Sequence, residues 1–253
     1  MKIAISGKGG SGKTTISAVL GYLFSRENKR VFLIDADPDG NLGLAMGFGD
    51  EELSKVVPIV ELKEIIAERT ASNGGGYFKL NPEVDDIPEK FSIRKDNIRM
   101  LVLGNIKKGG SGCYCPENAF LRSVLRNLLS QKQDVVILDM PAGIEHLGRA
   151  TADSMDSILI VVEPTAKSVQ TAKRIHKLSA DIKIKKILFV GNKISGEVDK
   201  KFLDEAFYQN SEMFIGYIGH HPSITNAEQK RSPVYTASEK LLNEISSIKE
   251  ALL

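Results

Sequence analysis

Tryptophan is absent from this 253-residue chain, aromatic residues make up only 6% of it, and it holds just two cysteines and four histidines. So few aromatics argue against a base-stacking platform for single-stranded nucleic acid. Two cysteines one residue apart cannot supply a disulfide framework, and the expected compartment is the cytoplasm. No apolar run approaches the roughly 18 residues that a membrane span needs. The apolar start, Met1-Lys2-Ile3-Ala4-Ile5-Ser6, is too short for the core of a secretory leader. Charge of one sign is lacking as well: 34 basic residues face 32 acidic ones, for a net charge of +2. The basic footprint of a dedicated nucleic-acid binder is therefore missing. What remains is ordinary globular composition, 42% hydrophobic and 26% charged.

Seven short β-branched runs stand at 2–6, 31–35, 98–103, 134–139, 157–163, 186–191 and 213–218. Helical periodicity fills 13–25, 117–131, 165–180, 199–208 and 238–252. Several runs are apolar almost throughout, as strands covered on both faces must be. Strand–helix alternation implies βαβ units with right-handed crossovers. The expectation is one α/β domain over 1–253, a mostly parallel seven-stranded sheet with helices on both faces. Residues 50–97 are the exception. They combine a helical stretch at 51–70 with the loop Asn73-Gly74-Gly75-Gly76 and prolines at 58, 82 and 88. With too few apolar residues for a core of its own, this segment reads as an insertion on the same domain.

The first run ends in Gly7-Lys8-Gly9-Gly10-Ser11-Gly12-Lys13-Thr14-Thr15 and a helical pattern follows. This satisfies the G-x-x-x-x-G-K-[ST] pattern of a P-loop. Its glycines let backbone N–H groups turn inward around phosphate oxygens, Lys13 reaches the terminal phosphates, and Thr14 ligates magnesium. The helix start adds its dipole. Further carboxylates fall at strand ends: Asp35 and Asp37 in Asp35-Ala36-Asp37-Pro38-Asp39-Gly40-Asn41, and Asp139 in Asp139-Met140-Pro141-Ala142-Gly143. In open parallel sheets, ligands sit beyond those carboxyl ends. A carboxylate there can hold magnesium's water shell or orient an attacking water.

Lys8, with the loop as a whole, resembles the deviant Walker A of the MinD/ParA/nitrogenase-iron-protein group of ATPases. The resemblance implies that Lys8 crosses a dimer interface to the partner's nucleotide. It also makes Asp37 the water-positioning residue, Asp139 the magnesium-shell residue through water, and Gly143 part of the second switch. After the run at 186–191 comes Gly191-Asn192-Lys193-Ile194-Ser195. A guanine reader would need aspartate where Ser195 stands. By the same resemblance Asn192 and the segment Gly219-His220-His221-Pro222 contact adenine, so the expected nucleotide is ATP.

The two cysteines lie in Gly109-Gly110-Ser111-Gly112-Cys113-Tyr114-Cys115-Pro116-Glu117. Pro116 suits the first position of a helix, so Cys115 falls at its N-cap. A positive helix end with Lys107 and Lys108 nearby favours thiolate, the metal-binding form. Two thiolates do not close a tetrahedral site, whereas a two-fold dimer would supply four. A redox pair, or two incidental thiols, would also fit the spacing. His146, His176, His220 and His221 have no i, i+4 partner and receive no metal role. The Gly-Gly-Ser-Gly-Cys-Tyr-Cys segment and Gly143-Ile144-Glu145-His146-Leu147 resemble the carbon monoxide dehydrogenase accessory ATPases of the CooC type, as does the Leu80-Asn81-Pro82 loop. That resemblance implies ATP-driven homodimerisation and insertion of Ni2+ into carbon monoxide dehydrogenase or a related nickel enzyme, acetyl-CoA synthase included. Cys113 and Cys115 would be the ligands, for nickel or zinc. Competing readings are a MinD/ParA-like positioning ATPase on membrane or DNA, and an electron carrier with an iron–sulfur cluster between subunits. The apolar stripe at 241, 242, 245, 248 and 252 reads as a face packed on the domain rather than one lying on lipid. Neither nucleic acid nor membrane is therefore an expected partner.

Overall fold

The sheet is organised around strand β1 (Lys2–Gly7), every residue of which is buried. A computed structural model describes residues 1–37, 40–71, 78–104, 115–131, 134–143 and 154–253. Helix α1 (Lys13–Arg26) leads to β2 (Val31–Asp35), followed by α2 (Leu42–Ala45), α3 (Asp50–Leu53), α4 (Lys63–Thr70) and α5 (Ile87–Phe91). Then come β3 (Ile93–Lys95), β4 (Ile98–Val102), α6 (Pro116–Ser130), β5 (Val135–Asp139) and β6 (Ser157–Val162). The rest of the described chain adds α7 (Ala166–Asp181), β7 (Ile187–Ile194), α8 (Glu197–Ala206), β8 (Phe214–Gly219), α9 (Pro222–Gln229) and α10 (Glu239–Leu252).

Strand order is β3-β4-β2-β5-β1-β6-β7-β8. Every pairing is parallel except β3 with β4. Successive side chains in a strand point to opposite faces. Ile3 and Ile5 thus join α1 and α10 in one apolar cluster, with Ile16, Leu20, Leu241, Ile245 and Ile248. Ala4 faces the other cluster, where Phe120 and Val124 of α6, Ile175 of α7 and Leu203 of α8 pack. Cover on both faces explains why the central strands read as continuous apolar runs. The chain runs from β1 to β2 on one side of the sheet, and after β5 it crosses β1 to continue with β6 on the other side; ligand crevices form at such reversals of strand order. Among the described residues no helix is long and apolar enough to cross a membrane.

Two expectations need correction. The sheet has eight strands, not seven, because Ile93–Lys95 pairs antiparallel with β4 inside the segment read as an insertion. Three residues with Arg94 and Lys95 on a sheet edge carry no apolar run, and charge on an edge strand discourages edge-to-edge association. Residues 51–70 are not one helix either: α3 ends at Leu53, Ile59–Glu61 forms a 3-10 turn, and α4 begins at Lys63. Pro58 lacks the N–H that a continuous helix would use. The loop at 73–76 lies outside the described residues.

Phe189 in β7 is fully buried, with ring centroids 4.7 Å from Phe207 and 5.4 Å from Phe214. Phe189→Ala should lower unfolding stability by about 3–5 kcal/mol. Val198→Ala, at a position 81% exposed, should stay within about 0.5 kcal/mol of the parent chain. Urea unfolding midpoints for both variants check the contrast.

Candidate functional site

The turn from β1 into α1 is built by glycines where a side chain would not fit. Gly12 caps α1 at φ 96°, and a Cβ there would strike the Asn192 side-chain amide. A Cβ on Gly7 would come 2.5 Å from the Val161 carbonyl oxygen of β6. The loop between them is held by its carbonyl groups. Asn192 Nδ2 donates to the Ser11 carbonyl at 2.6 Å, and Lys193 Nζ donates to that of Gly10 at 2.6 Å. Lys13 Nζ donates to the Lys8 carbonyl at 3.4 Å. In a trans peptide the N–H points opposite to the C=O. Pinning a carbonyl therefore also fixes the direction of the next residue's N–H, and the first turn of α1 adds N–H groups that have no helical partner. This is an anion cradle.

Beneath it, Asp35 and Asp139 are register partners across β2 and β5, and both are buried. Asp35 accepts hydrogen bonds from the N–H groups of Leu42 at 3.0 Å and Asp37 at 3.2 Å, tying the segment after β2 to the start of α2. Burial pushes its pKa up to about 6, against the pull of those two donors. Asp139 is pushed up to about 7, first by burial, which the Thr14 hydroxyl opposes, and then by Asp35, which Lys13 opposes. Neither Asp139 carboxylate oxygen has a partner within good hydrogen-bond geometry; the Thr14 hydroxyl is near enough only to moderate the charge. A buried, unpartnered carboxylate beside a threonine hydroxyl and a lysine fits a divalent cation or its water shell.

A cleft of about 740 Å³ runs from Gly9, Gly10, Gly12, Lys13, Thr14 and Thr15 past Asp37, Asn41 and Asn192 to His220, His221, Thr225 and Arg231. At the far end Glu244 of α10 orders the turn between β8 and α9. Its Oε2 accepts from the Gly219 N–H at 3.0 Å and lies 2.8 Å from His221 Nε2. Arg231 pairs with Asp50 across the rim.

Nine of the expected site residues thus share one cleft: Gly9, Gly10, Gly12, Lys13, Thr14, Thr15, Asp37, Asn192 and His221. Gly7, Ser11 and Asp139 support it from beneath. Gly143 is held apart, its carbonyl accepting from the Ser6 hydroxyl at 2.8 Å. Pro222 opens α9 without lining the cleft. Lys8 lies outside the cleft lining, its Nζ 4.0 Å from Glu163 Oε2. Lys193, Glu163 and Glu244 also serve the site, although the sequence pattern does not single them out. Glu163 does follow β6 directly, the strand-end placement of Asp35 and Asp139; Glu244, in mid-helix, carries no such signal. Cys115 is the N-cap of α6 with Pro116 at the first helical position, whereas Cys113 and His146 lie outside the described residues. Among the described residues no three His, Cys, Asp or Glu side chains cluster so that they could hold a metal ion together.

Comparison with known proteins agrees with this geometry. The family model described as "CobQ/CobB/MinD/ParA nucleotide binding domain" matches residues 2–234. The chain is 41% identical to the carbon monoxide dehydrogenase accessory protein CooC of Rhodospirillum rubrum, over 100% of this chain and 96% of that one. It is also 41% identical to an ATP-binding protein of Methanocaldococcus jannaschii, over 98% and 99% respectively. Among solved structures, the MinC:MinD cell division complex of Aquifex aeolicus superposes with a TM-score of 0.70 at 23% identity, covering 99% of this chain and 94% of that one.

The Asp139 pKa lies above its ordinary 3.8, so between those values the native state holds a proton that the unfolded state has lost. That stabilisation is complete below pH 4 and disappears as pH rises through 7. In magnesium-free, nucleotide-free solution, Asp139→Asn should raise stability at pH 8 by roughly 2–4 kcal/mol and flatten the decline between pH 4 and 7. Thermal melts across that range decide it; an unchanged slope would contradict the assignment.

Proposed function

The chain belongs to the CobQ/CobB/MinD/ParA nucleotide-binding family of P-loop ATPases, and from that premise we propose that it is an ATP-driven homodimeric maturation factor. Its cargo is nickel, delivered to carbon monoxide dehydrogenase or a related nickel enzyme. The observation that carries the ATPase part is the cradle held open above the unpartnered Asp139, with Asp37 lining the same cleft. The client follows the name of the full-length relative from Rhodospirillum rubrum.

In this reading Lys13, and Lys8 from the opposite subunit, neutralise charge on the transferring phosphoryl group, while Asp37 positions the attacking water. Thr14 and Asp139 hold magnesium, Asp139 through water; when bound, the ion offsets the charge of the phosphates. Asn192 already spends Nδ2 on Ser11. That uses one of its two amide N–H groups and leaves the acceptor Oδ1 free for a base, which suits the exocyclic amine of adenine. Cys113 and Cys115 give two thiolates per chain, so pairing two chains supplies the four donors that close a nickel or zinc site. The positioning-ATPase alternative would call for a basic amphipathic helix free to lie on a membrane, or for a basic surface for DNA. Here α10 commits Leu241, Ile245, Ile248 and Leu252 to the core.

Hydrolysis and metal binding test this reading separately. Lys13→Ala should reduce magnesium-dependent ATP hydrolysis by about 100-fold or more, and Asp37→Ala should keep nucleotide binding while accumulating dimer. Normal turnover by Lys8→Ala would remove the deviant-lysine assignment. The Cys113→Ser and Cys115→Ser variants should lose tight nickel and zinc binding in competition with a chromophoric chelator yet bind ATP as before. Undiminished metal affinity in the double variant would sink the thiolate site.

A further inference from the structure

Glu163 is an acid that the hydrolytic scheme leaves unused, and it stands against the outside of the phosphate loop. Its side chain is only 13% exposed. The backbone around it is fixed: its N–H donates to the Ser168 hydroxyl at 2.9 Å, and its carbonyl accepts from the Thr165 N–H at 2.7 Å. One carboxylate oxygen meets Lys193 Nζ at 2.7 Å; the other faces Lys8 Nζ at 4.0 Å. Lys193 is itself committed to the loop through the Gly10 carbonyl, and its backbone has φ 60° at the register shift between β7 and β8. A non-glycine residue held in that conformation marks a place where the surroundings dictate geometry.

We propose that Glu163 is a positioning residue that parks Lys8 on its own subunit and so sets how much ATP is needed before two chains pair. This rests on the reading that Lys8 acts on the partner's nucleotide. Glu163 serves two lysines unequally. Lys193 is held from both sides, by Glu163 at 2.7 Å and the Gly10 carbonyl at 2.6 Å, whereas Lys8 is the looser contact, at 4.0 Å, of a long and flexible side chain. Such pairs are weak individually, so a nucleotide phosphate of higher charge can draw Lys8 away. The departure leaves no buried charge stranded, because Glu163 keeps Lys193. A carboxylate with one lysine alone would face an uncompensated buried charge on release. The arrangement therefore opposes pairing mildly and reversibly.

The test compares the parent chain with Glu163→Gln and Glu163→Asp, titrated with a non-hydrolysable ATP analogue and magnesium, with mass read by sedimentation velocity. ADP affinity of the single chain is measured alongside by calorimetry. The proposal expects Glu163→Gln to pair at about fivefold lower analogue concentration, with a smaller change in ADP affinity. Glu163→Asp, which keeps the charge, should stay within about twofold of the parent. An unchanged or higher midpoint for Glu163→Gln overturns it. So does an equal tightening of ADP binding, which would mean that Glu163 acts on the phosphate site at large, and so does an equal shift in Glu163→Asp. If the parent chain binds the analogue but never pairs, the dimer reading itself fails, an outcome distinct from pairing that Glu163→Gln leaves unshifted.

Discussion

The phosphate loop has to present amides inward, and a short glycine-rich segment does not hold that shape by itself. The structure imposes it from the carbonyl side. Three donors, Asn192 Nδ2, Lys193 Nζ and Lys13 Nζ, engage the carbonyls of Ser11, Gly10 and Lys8. Two of these donors come from the end of β7, far away in sequence, so the cradle depends on the parallel sheet bringing β7 within reach of β1. Substituting Gly12 would break the arrangement at its tightest point, because its left-handed backbone and the Asn192 contact both exclude a side chain. Fold and anion site are thus one constraint seen at two scales.

The carboxyl edge of the sheet also brings two acidic groups together. Asp35 and Asp139 share a register position on neighbouring strands, and burial raises the pKa of each. Asp35 spends its charge on the N–H groups of Asp37 and Leu42. It thereby fixes the entry to the segment that carries the proposed water-positioning residue. Asp139 spends its charge on no well-formed hydrogen bond. One aspartate is structural, the other is left poised for a cation, and backbone donors make the difference.

Much of this was legible in the chain. Apolar runs bounded by glycine and aspartate gave seven of the eight strands, and the placement of Gly7 to Thr15 between a strand and a helix located the cradle. The apolar stripe of the last helix was correctly read as a packed face. The eighth strand escaped because Ile93–Lys95 is short and polar, as an edge strand can be, and its existence depends on a partner. The break at Pro58 shows local chemistry winning over helical periodicity in a segment with little core to enforce it. Asn192 was legible as a site residue, but not its engagement with the Ser11 carbonyl, which no local pattern encodes. The same holds for Glu244, whose contact with His221 spans the distance from α10 to the turn after β8.

The proposed nucleotide binding, pairing and metal capture would meet in a single species. Native mass spectrometry of the fully reduced chain, loaded with nickel and a magnesium-bound non-hydrolysable ATP analogue, measures it directly. The account predicts a species of two chains, two nucleotides and one nickel ion, with the nickel lost when Cys113 and Cys115 are replaced by serine. A nickel ion on each single chain, or nucleotide-loaded chains that carry metal without pairing, would contradict it.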